Sequence, residues 1–114
     1  MRILRSRTRG FTLIEIMIVV GIIGLIAAIA MPSMMKAREQ AQLNACIENL
    51  SKLEAIKQIW GVENGKVNGS TPTDADLFGA SLYMRVRPSC PANGLYDLKA
   101  IGRNPTCTIA LHTL

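Results

Sequence analysis

The sequence predicts an α+β protein with a long N-terminal helix and a small C-terminal antiparallel β-hairpin domain. Three patterns indicate this fold. An apolar run covers residues 11–31, and apolar residues then recur at three- and four-residue steps as far as Trp60. Two short alternating segments, 95–98 and 106–109, lie between turn signals near the C terminus. The helix is therefore expected to have a membrane half and an amphipathic half.

The apolar run, FTLIEIMIVVGIIGLIAAIAM, contains a single charged residue, Glu15. At about 1.5 Å per residue a helix of this length spans roughly 30 Å, the thickness of a bilayer hydrocarbon core. Because lipid cannot satisfy free backbone groups, a helix is the expected form. A carboxylate inside a membrane helix is costly and points to a functional site with a partner. The alternative is that Glu15 is solvated at the headgroup level.

The junction Arg9-Gly10-Phe11-Thr12-Leu13-Ile14-Glu15 resembles the N terminus of the type IV pilin and pseudopilin family. The resemblance implies that a prepilin peptidase cuts after Gly10 and that Phe11, the new terminus, is N-methylated. It also implies that Glu15 meets the terminal amine of a neighbouring subunit and that Pro32 bends the helix. The implied partners are copies of the chain, other pilin-like subunits, the peptidase and methyltransferase, and an assembly platform in the inner membrane.

The chemistry of Glu15 agrees with this resemblance. An α-amino group is mostly cationic at neutral pH, and a carboxylate in lipid requires a cation. Cleavage after Gly10 would create a cation four residues before Glu15. Within one helix the two groups meet only loosely, whereas a neighbour displaced along the helix axis presents its amine directly.

The net charge of +5 does not predict a nucleic-acid partner. Without the four leader arginines the chain has nine basic and eight acidic side chains. Those arginines outnumber Lys36 and Arg38 behind the apolar run, which predicts a single pass through the inner membrane with the N terminus inside. The soluble part is then exported into the periplasm or an extracellular filament. The leader arginines are Arg2, Arg5, Arg7 and Arg9.

A secretory signal peptide is the rival interpretation of the N terminus. Ala28-Ile29-Ala30 offers a cleavage site that would release a soluble domain starting at Met31. Such a protein would be a small exported binding domain, either released or anchored by a single pass. An acid inside the apolar run and the length of that run argue against it.

Four segments are expected: a cleaved leader (1–10), a membrane and filament-core helix (11–31), its amphipathic continuation (32–61) and a small C-terminal domain (62–114). A bend is expected at Pro32-Ser33 because proline removes a helix hydrogen bond and clashes with the preceding turn. Gly61 and Gly65 bracket the predicted helix end. Residues 61–73 are rich in Gly, Asn, Ser and Thr and predict a linker.

Beyond the linker, Thr73 is expected to cap a short helix with Asp74 and Asp76 in its first turn. Two carboxylates without further oxygen ligands are a weak metal site, so no metal and no cofactor are expected. The two alternating segments are expected to form a hairpin whose inner face meets the apolar stripe Leu50–Trp60 of the long helix.

Cys90 and Cys107 flank the hairpin and, in an exported domain, are predicted to form a disulfide. A disulfide that closes the loop between Cys90 and Cys107 would stabilise the folded domain by about 3 kcal/mol in the chain-entropy model. Cys46 lies on the apolar face of the helix, where a small buried side chain is expected. Because the number of cysteines is odd, pairings of Cys46 with either partner stay open.

No enzyme is predicted. The sole histidine, His112, lies two residues from the end, and neither a nucleophile–base set nor metal-ligand spacing is apparent. The predicted function is a structural subunit that polymerises through its N-terminal helix. Type IV pilus and type II secretion filament both stay open, with the short soluble part slightly favouring a pseudopilin. Four cations offer only a thin surface for DNA: Arg85, Arg87, Lys99 and Arg103.

Overall fold

The computed structural model describes residues 9–114, and a single long helix is its largest element. Helix α1 runs Leu13–Glu63 over 51 residues, and α2 runs Asp74–Leu77. Strands β1, Tyr96–Asp97, and β2, Thr106–Cys107, form a two-stranded antiparallel sheet. This confirms the α+β fold with a long N-terminal helix and a small C-terminal hairpin. The chain divides into two compact units between Ala37 and Arg38.

In the N-terminal unit the apolar side chains of the described residues are exposed. Every described residue as far as Ala37 is exposed, including Phe11 at 87%. By length and composition, α1 is the one helix among residues 9–114 that could cross a membrane. Pro32 lies inside α1, and the hydroxyl of Ser33 donates a hydrogen bond to the carbonyl oxygen of Ala30 at 2.9 Å. The bend at Pro32 stays a prediction.

Helix α1 ends at Glu63 in a Schellman motif, between Gly61 and Gly65, as the sequence predicts. The N–H of Lys66 donates to the carbonyl of Gly61 at 2.8 Å, and the N–H of Gly65 donates to that of Val62 at 3.4 Å. Gly65 has φ +60°, the left-handed conformation that this cap requires. The turn signal at Asn64-Gly65 thus marks the helix end because only glycine adopts that conformation without steric cost.

The core of the C-terminal unit is built on one face of α1. Its buried residues on the helix follow steps of three and four: Cys46, Leu50, Leu53, Ile56 and Trp60. Fully burying a leucine side chain such as Leu50 or Leu53 contributes about 1.5–3 kcal/mol. The hairpin and its flanking loops supply the opposite wall of the core, as the sequence predicts, with Cys90, Tyr96, Leu98 and Ile101. Helix α2 adds Leu77 to this core.

The hairpin has the expected direction and shorter strands than expected. Tyr96 pairs with Cys107 and Asp97 with Thr106. The chain reaches β1 through a turn in which the N–H of Asn93 donates to the carbonyl of Cys90 at 3.0 Å. After β2, a single antiparallel bridge joins Thr106 to Thr113 and brings the C-terminal tail beside the sheet.

The short helix α2 begins at the predicted cap. The carboxylate of Asp76 accepts hydrogen bonds from the N–H of Thr73 at 2.8 Å and from its hydroxyl at 2.6 Å. Asp74 pairs with Arg87, whose guanidinium also donates to the carbonyl of Tyr96 at 2.7 Å. These contacts tie α2 to the segment that precedes the hairpin.

Candidate assembly site and cysteine–histidine cluster

Thr12 and Glu15 form a reciprocal cap at the start of α1. Oε2 of Glu15 accepts hydrogen bonds from the backbone N–H of Thr12 at 2.7 Å and from its hydroxyl at 2.9 Å. The N–H of Glu15 donates back to the Thr12 hydroxyl oxygen at 3.3 Å. Because helix ends leave N–H groups without partners, this capping box stabilises the first turn.

The capping box leaves half of the carboxylate available. All of the hydrogen bonds that Glu15 accepts within the described residues go to Oε2. Oε1 can therefore receive a further donor without breaking the cap. This intramolecular partner of Glu15 adds to the intermolecular amine and the solvent expected from the sequence. The pattern Thr-x-x-Glu before an apolar run is its usual signature and could have predicted it.

A second group of functional side chains lies in the C-terminal unit. The thiol sulfurs of Cys46, Cys90 and Cys107 and a ring nitrogen of His112 all lie within 4.8 Å of one another. Sγ of Cys90 and Nδ1 of His112 are 3.6 Å apart. We call these four residues the Cys₃His cluster. Cys46, Cys90 and His112 are buried and Cys107 is half-buried.

Each member of the Cys₃His cluster comes from a different part of the fold. Cys46 is on the buried face of α1, Cys90 opens the turn before β1, and Cys107 ends β2. His112 reaches the cluster because the tail reverses at Leu111, which has φ +70°. A left-handed leucine is unfavourable by roughly 1–2 kcal/mol, so the surrounding contacts must hold the tail in this conformation.

The surroundings of Cys46 and Cys90 shift the pKa values of their thiols in opposite directions. Burial raises the pKa of the Cys46 thiol, which outweighs the opposite effect of a hydrogen bond from the hydroxyl of Tyr96. Burial also acts to raise the pKa of Cys90, but hydrogen bonds from the backbone N–H groups of Ala92 and Gly94 outweigh it and lower the pKa. The turn after Cys90 therefore favours a thiolate at that position.

Gly94 lies against two of the sulfurs. A Cβ atom at this position would be 2.5 Å from Sγ of Cys107 and 3.3 Å from Sγ of Cys90, and also 2.7 Å from Cγ1 of Ile109. These separations are shorter than van der Waals contact. Glycine is thus required here because the hairpin backbone approaches the sulfur atoms closely.

Cys90 and Cys107 lie near each other, as the sequence predicts, and the structure brings them together with Cys46 and His112. All three thiols are free. The disulfide between Cys90 and Cys107 stays a prediction. His112 was missed because its proximity depends on the reversal at Leu111, which no spacing rule anticipates.

The other charged candidates have local partners. Asp74 pairs with Arg87, and Asp76 accepts the two hydrogen bonds from Thr73. Lys99 pairs with Asp97 at 2.5 Å. Two of the four cations that made up the thin basic surface are therefore already engaged by carboxylates.

Comparison with known proteins supplies the family. The family described as "Prokaryotic N-terminal methylation motif" matches residues 5–31, which include the junction at Gly10 and Phe11. The type IV wide pilus major component PilA4 of Thermus thermophilus is 30% identical over 105 residues, covering 92% of this chain and 74% of the relative. The chain belongs to the type IV pilin and pseudopilin family.

Relatives of this chain within the family include both type IV pilins and type II secretion proteins. The type II secretion system core protein G of Klebsiella michiganensis is 27% identical over 112 residues, covering 88% of this chain and 79% of the relative. The type IV major pilin protein PilA of Myxococcus xanthus is 51% identical over 47 residues, covering 41% of this chain and 21% of the relative. No solved structure gives a significant match to this pilin-like chain.

For a pilin or pseudopilin, the N-terminal motif and the exposed apolar helix together indicate membrane anchoring and a filament outside the cytoplasm. The named relatives are components of pili and of a secretion system, so a structural role is favoured over an enzymatic one.

Proposed function

We propose that the protein is a structural filament subunit that is cut after Gly10, N-methylated at Phe11 and assembled through α1. The exposed apolar surface of residues 11–35 is the observation that carries this proposal, since a surface of this size requires lipid or other subunits around it. The relatives named as a type IV pilus component and as a type II secretion protein support a type IV pilus or a type II secretion filament.

In this proposal Glu15 is the assembly residue. Oε2 caps the first turn of its own helix, and Oε1 accepts the terminal ammonium of a neighbouring subunit. The two interactions use different oxygens, so the helix need not unwind for the subunits to meet. The carboxylate and the amine are then both desolvated, which makes their pairing selective for a neighbour in the correct axial position.

The remaining assignments follow from the same arrangement. Residues 1–10 act as the leader, 11–31 as the membrane and filament-core helix, 32–61 as its continuation and 62–114 as the exported domain, with a bend at Pro32. The subunit enters the inner membrane with its N terminus inside, is processed by the prepilin peptidase and methyltransferase, and is assembled by a platform in that membrane together with other pilin-like subunits.

Glu15→Gln tests the proposal because glutamine can still cap the helix through its carbonyl oxygen. The substitution removes the charge that pairs with the neighbouring amine and keeps the cap to Thr12. Truncating one partner of a buried ion pair costs about 3–5 kcal/mol, so assembly should fail while membrane insertion persists. The measurement is the ratio of sheared filament to membrane-retained subunit at equal expression.

Glu39→Gln is the matched control, since Glu39 is an exposed acid on the same helix beyond the apolar run. Its filament yield should equal that of the wild type. Glu15→Leu removes both charge and cap and should impair assembly at least as strongly as Glu15→Gln. Wild-type filament yield from Glu15→Gln would mean that the acid is only solvated at the membrane interface.

A further inference from the structure

The Cys₃His cluster has the composition and the spacing of a tetrahedral metal site. Zinc is held in structural sites by four cysteine or histidine ligands, with Zn–S distances of about 2.3 Å and Zn–N distances of about 2.0–2.1 Å. A tetrahedron with those bond lengths has sulfur–sulfur edges of about 3.8 Å and sulfur–nitrogen edges of about 3.6 Å. Sγ of Cys90 and Nδ1 of His112 lie 3.6 Å apart, and all four ligand atoms lie within 4.8 Å of one another.

We propose that Cys46, Cys90, Cys107 and His112 bind one zinc ion that fastens the C-terminal hairpin and tail to helix α1. The three cysteines bind as thiolates and His112 as a neutral imidazole, with the three thiol protons released to solvent. Three Zn–S bonds and one Zn–N bond form, and nothing is oxidised or reduced. The filled site has a net charge of −1.

The surroundings of the sulfurs fit this charge. Backbone N–H groups of Ala92 and Gly94 donate hydrogen bonds to Cys90, and the hydroxyl of Tyr96 donates one to Cys46. Asn49 orients that hydroxyl, with its Nδ2 3.2 Å from the Tyr96 oxygen. Donors aimed at metal-bound sulfurs stabilise thiolates and fix their positions, and such outer contacts normally accompany a metal site.

Disulfide chemistry explains fewer of these features. A disulfide joins two sulfurs at about 2.0 Å and would leave the third thiol and His112 buried beside it without a role. The tail would then have no reason to adopt the left-handed conformation at Leu111 that brings His112 into the cluster. A metal uses all four groups at once. The Cys90–Cys107 disulfide is therefore the competing outcome of the test.

The first measurement is the metal content of the full chain. The protein is extracted from membranes in detergent without metal-affinity chromatography and analysed by inductively coupled plasma mass spectrometry. One zinc per chain is expected, with an X-ray absorption shell of three sulfurs and one nitrogen. Exchange with Co²⁺ should give the intense visible absorption of tetrahedral cobalt thiolates. This experiment measures metal content and not filament assembly, so its result is independent of the proposed function.

Variants at His112 separate the metal from the disulfide. His112→Ala should release zinc to a chelator at least about tenfold faster than the wild type. Loss of a residue that only contacts a metal ligand already lowers metal affinity by about tenfold or more, and loss of a ligand itself should lower it further. Leu114→Ala is the matched control, since Leu114 is an exposed residue of the same tail, and it should keep its zinc. If His112→Ala does not fold, His112→Cys decides: it should retain zinc with a shell of four sulfurs.

Three results would overturn the proposal. The first is a Cys90–Cys107 disulfide in non-reducing peptide maps with no zinc bound. The second is three free thiols in a chain that neither contains zinc nor takes up Zn²⁺ or Co²⁺. The third is zinc that His112→Ala retains unchanged, which would exclude the histidine as a ligand.

Discussion

The ammonium of Lys57 donates a hydrogen bond to the backbone carbonyl of Leu98 at 3.2 Å, linking α1 to the loop between β1 and β2. Lys57 is fully buried and also bonds the carbonyl of Arg103 and the carboxylate of Glu54. A buried lysine is stable only when such partners compensate for its lost hydration. The side chain therefore acts as a polar clamp between the helix and the hairpin.

Lys57→Met should destabilise the C-terminal unit by about 3 kcal/mol, because it keeps the volume of the stem but leaves two buried carbonyls and Glu54 without their cation. Denaturation of the full chain in detergent, followed by fluorescence of the single tryptophan Trp60, measures the change.

Lys52→Met is the matched control for this clamp. Lys52 lies on the same helix and pairs with Glu48, but both side chains are more than half exposed. Its effect should stay within about 0.5 kcal/mol. Equal effects from the two variants would mean that burial of the Lys57 ammonium contributes nothing specific.

The mature chain should begin with N-methylated Phe11. Peptide mapping and intact mass of membrane fractions give the terminus directly. Gly10→Val should leave the leader attached, because the proposed cleavage follows the glycine, whereas Gly21→Ala inside the apolar run should be processed normally. A terminus at Met31 would instead indicate release by a signal peptidase, and an uncut chain would contradict processing.

Gly94→Ala should destabilise the C-terminal unit by about 1–3 kcal/mol, the usual range for forcing an extra methyl group into a packed site. The added Cβ would lie 2.5 Å from Sγ of Cys107. Gly79→Ala is the comparison, since its Cβ would meet the flexible end of Leu82 at 3.1 Å. A smaller loss for Gly94→Ala than for Gly79→Ala would contradict the close packing against the sulfurs.

The cap of α2 should make the stability of the protein depend on pH. Hydrogen bonds from the hydroxyl and the N–H of Thr73 hold the pKa of Asp76 below its ordinary value of 3.8. A lowered pKa in the folded state stabilises the fold above the unfolded pKa, and this stabilisation is lost as the pH falls through the folded pKa. Its full effect is thus present above about pH 5.

Asp76→Asn should remove this contribution and reduce the difference in denaturation midpoint between neutral and acidic pH. Glu39→Gln, a change at an exposed acid of α1, should leave that difference unchanged. An identical pH profile for Asp76→Asn and the wild type would show that the carboxylate does not stabilise the cap.

Local patterns were sufficient to predict both helices and the turn that ends α1. The apolar steps from Cys46 to Trp60, the glycine at the end of α1 and the cap at Thr73 each depend on neighbours within a few residues. The burial of Lys57 could not be predicted, because its partners are carbonyl groups that lie about forty residues away in sequence, and carbonyls are present at every residue. His112 escaped prediction for a similar reason, since its position depends on one unusual backbone angle at Leu111.

The close approach at Gly94 has an evolutionary consequence. A backbone position with two sulfur atoms beside it has no room for a side chain, and the restriction exists only while those sulfurs are there. Across natural relatives, glycine at this position should therefore be inherited together with the cysteines at 90 and 107. In lineages that have lost the pair, the position should drift freely among small and polar residues.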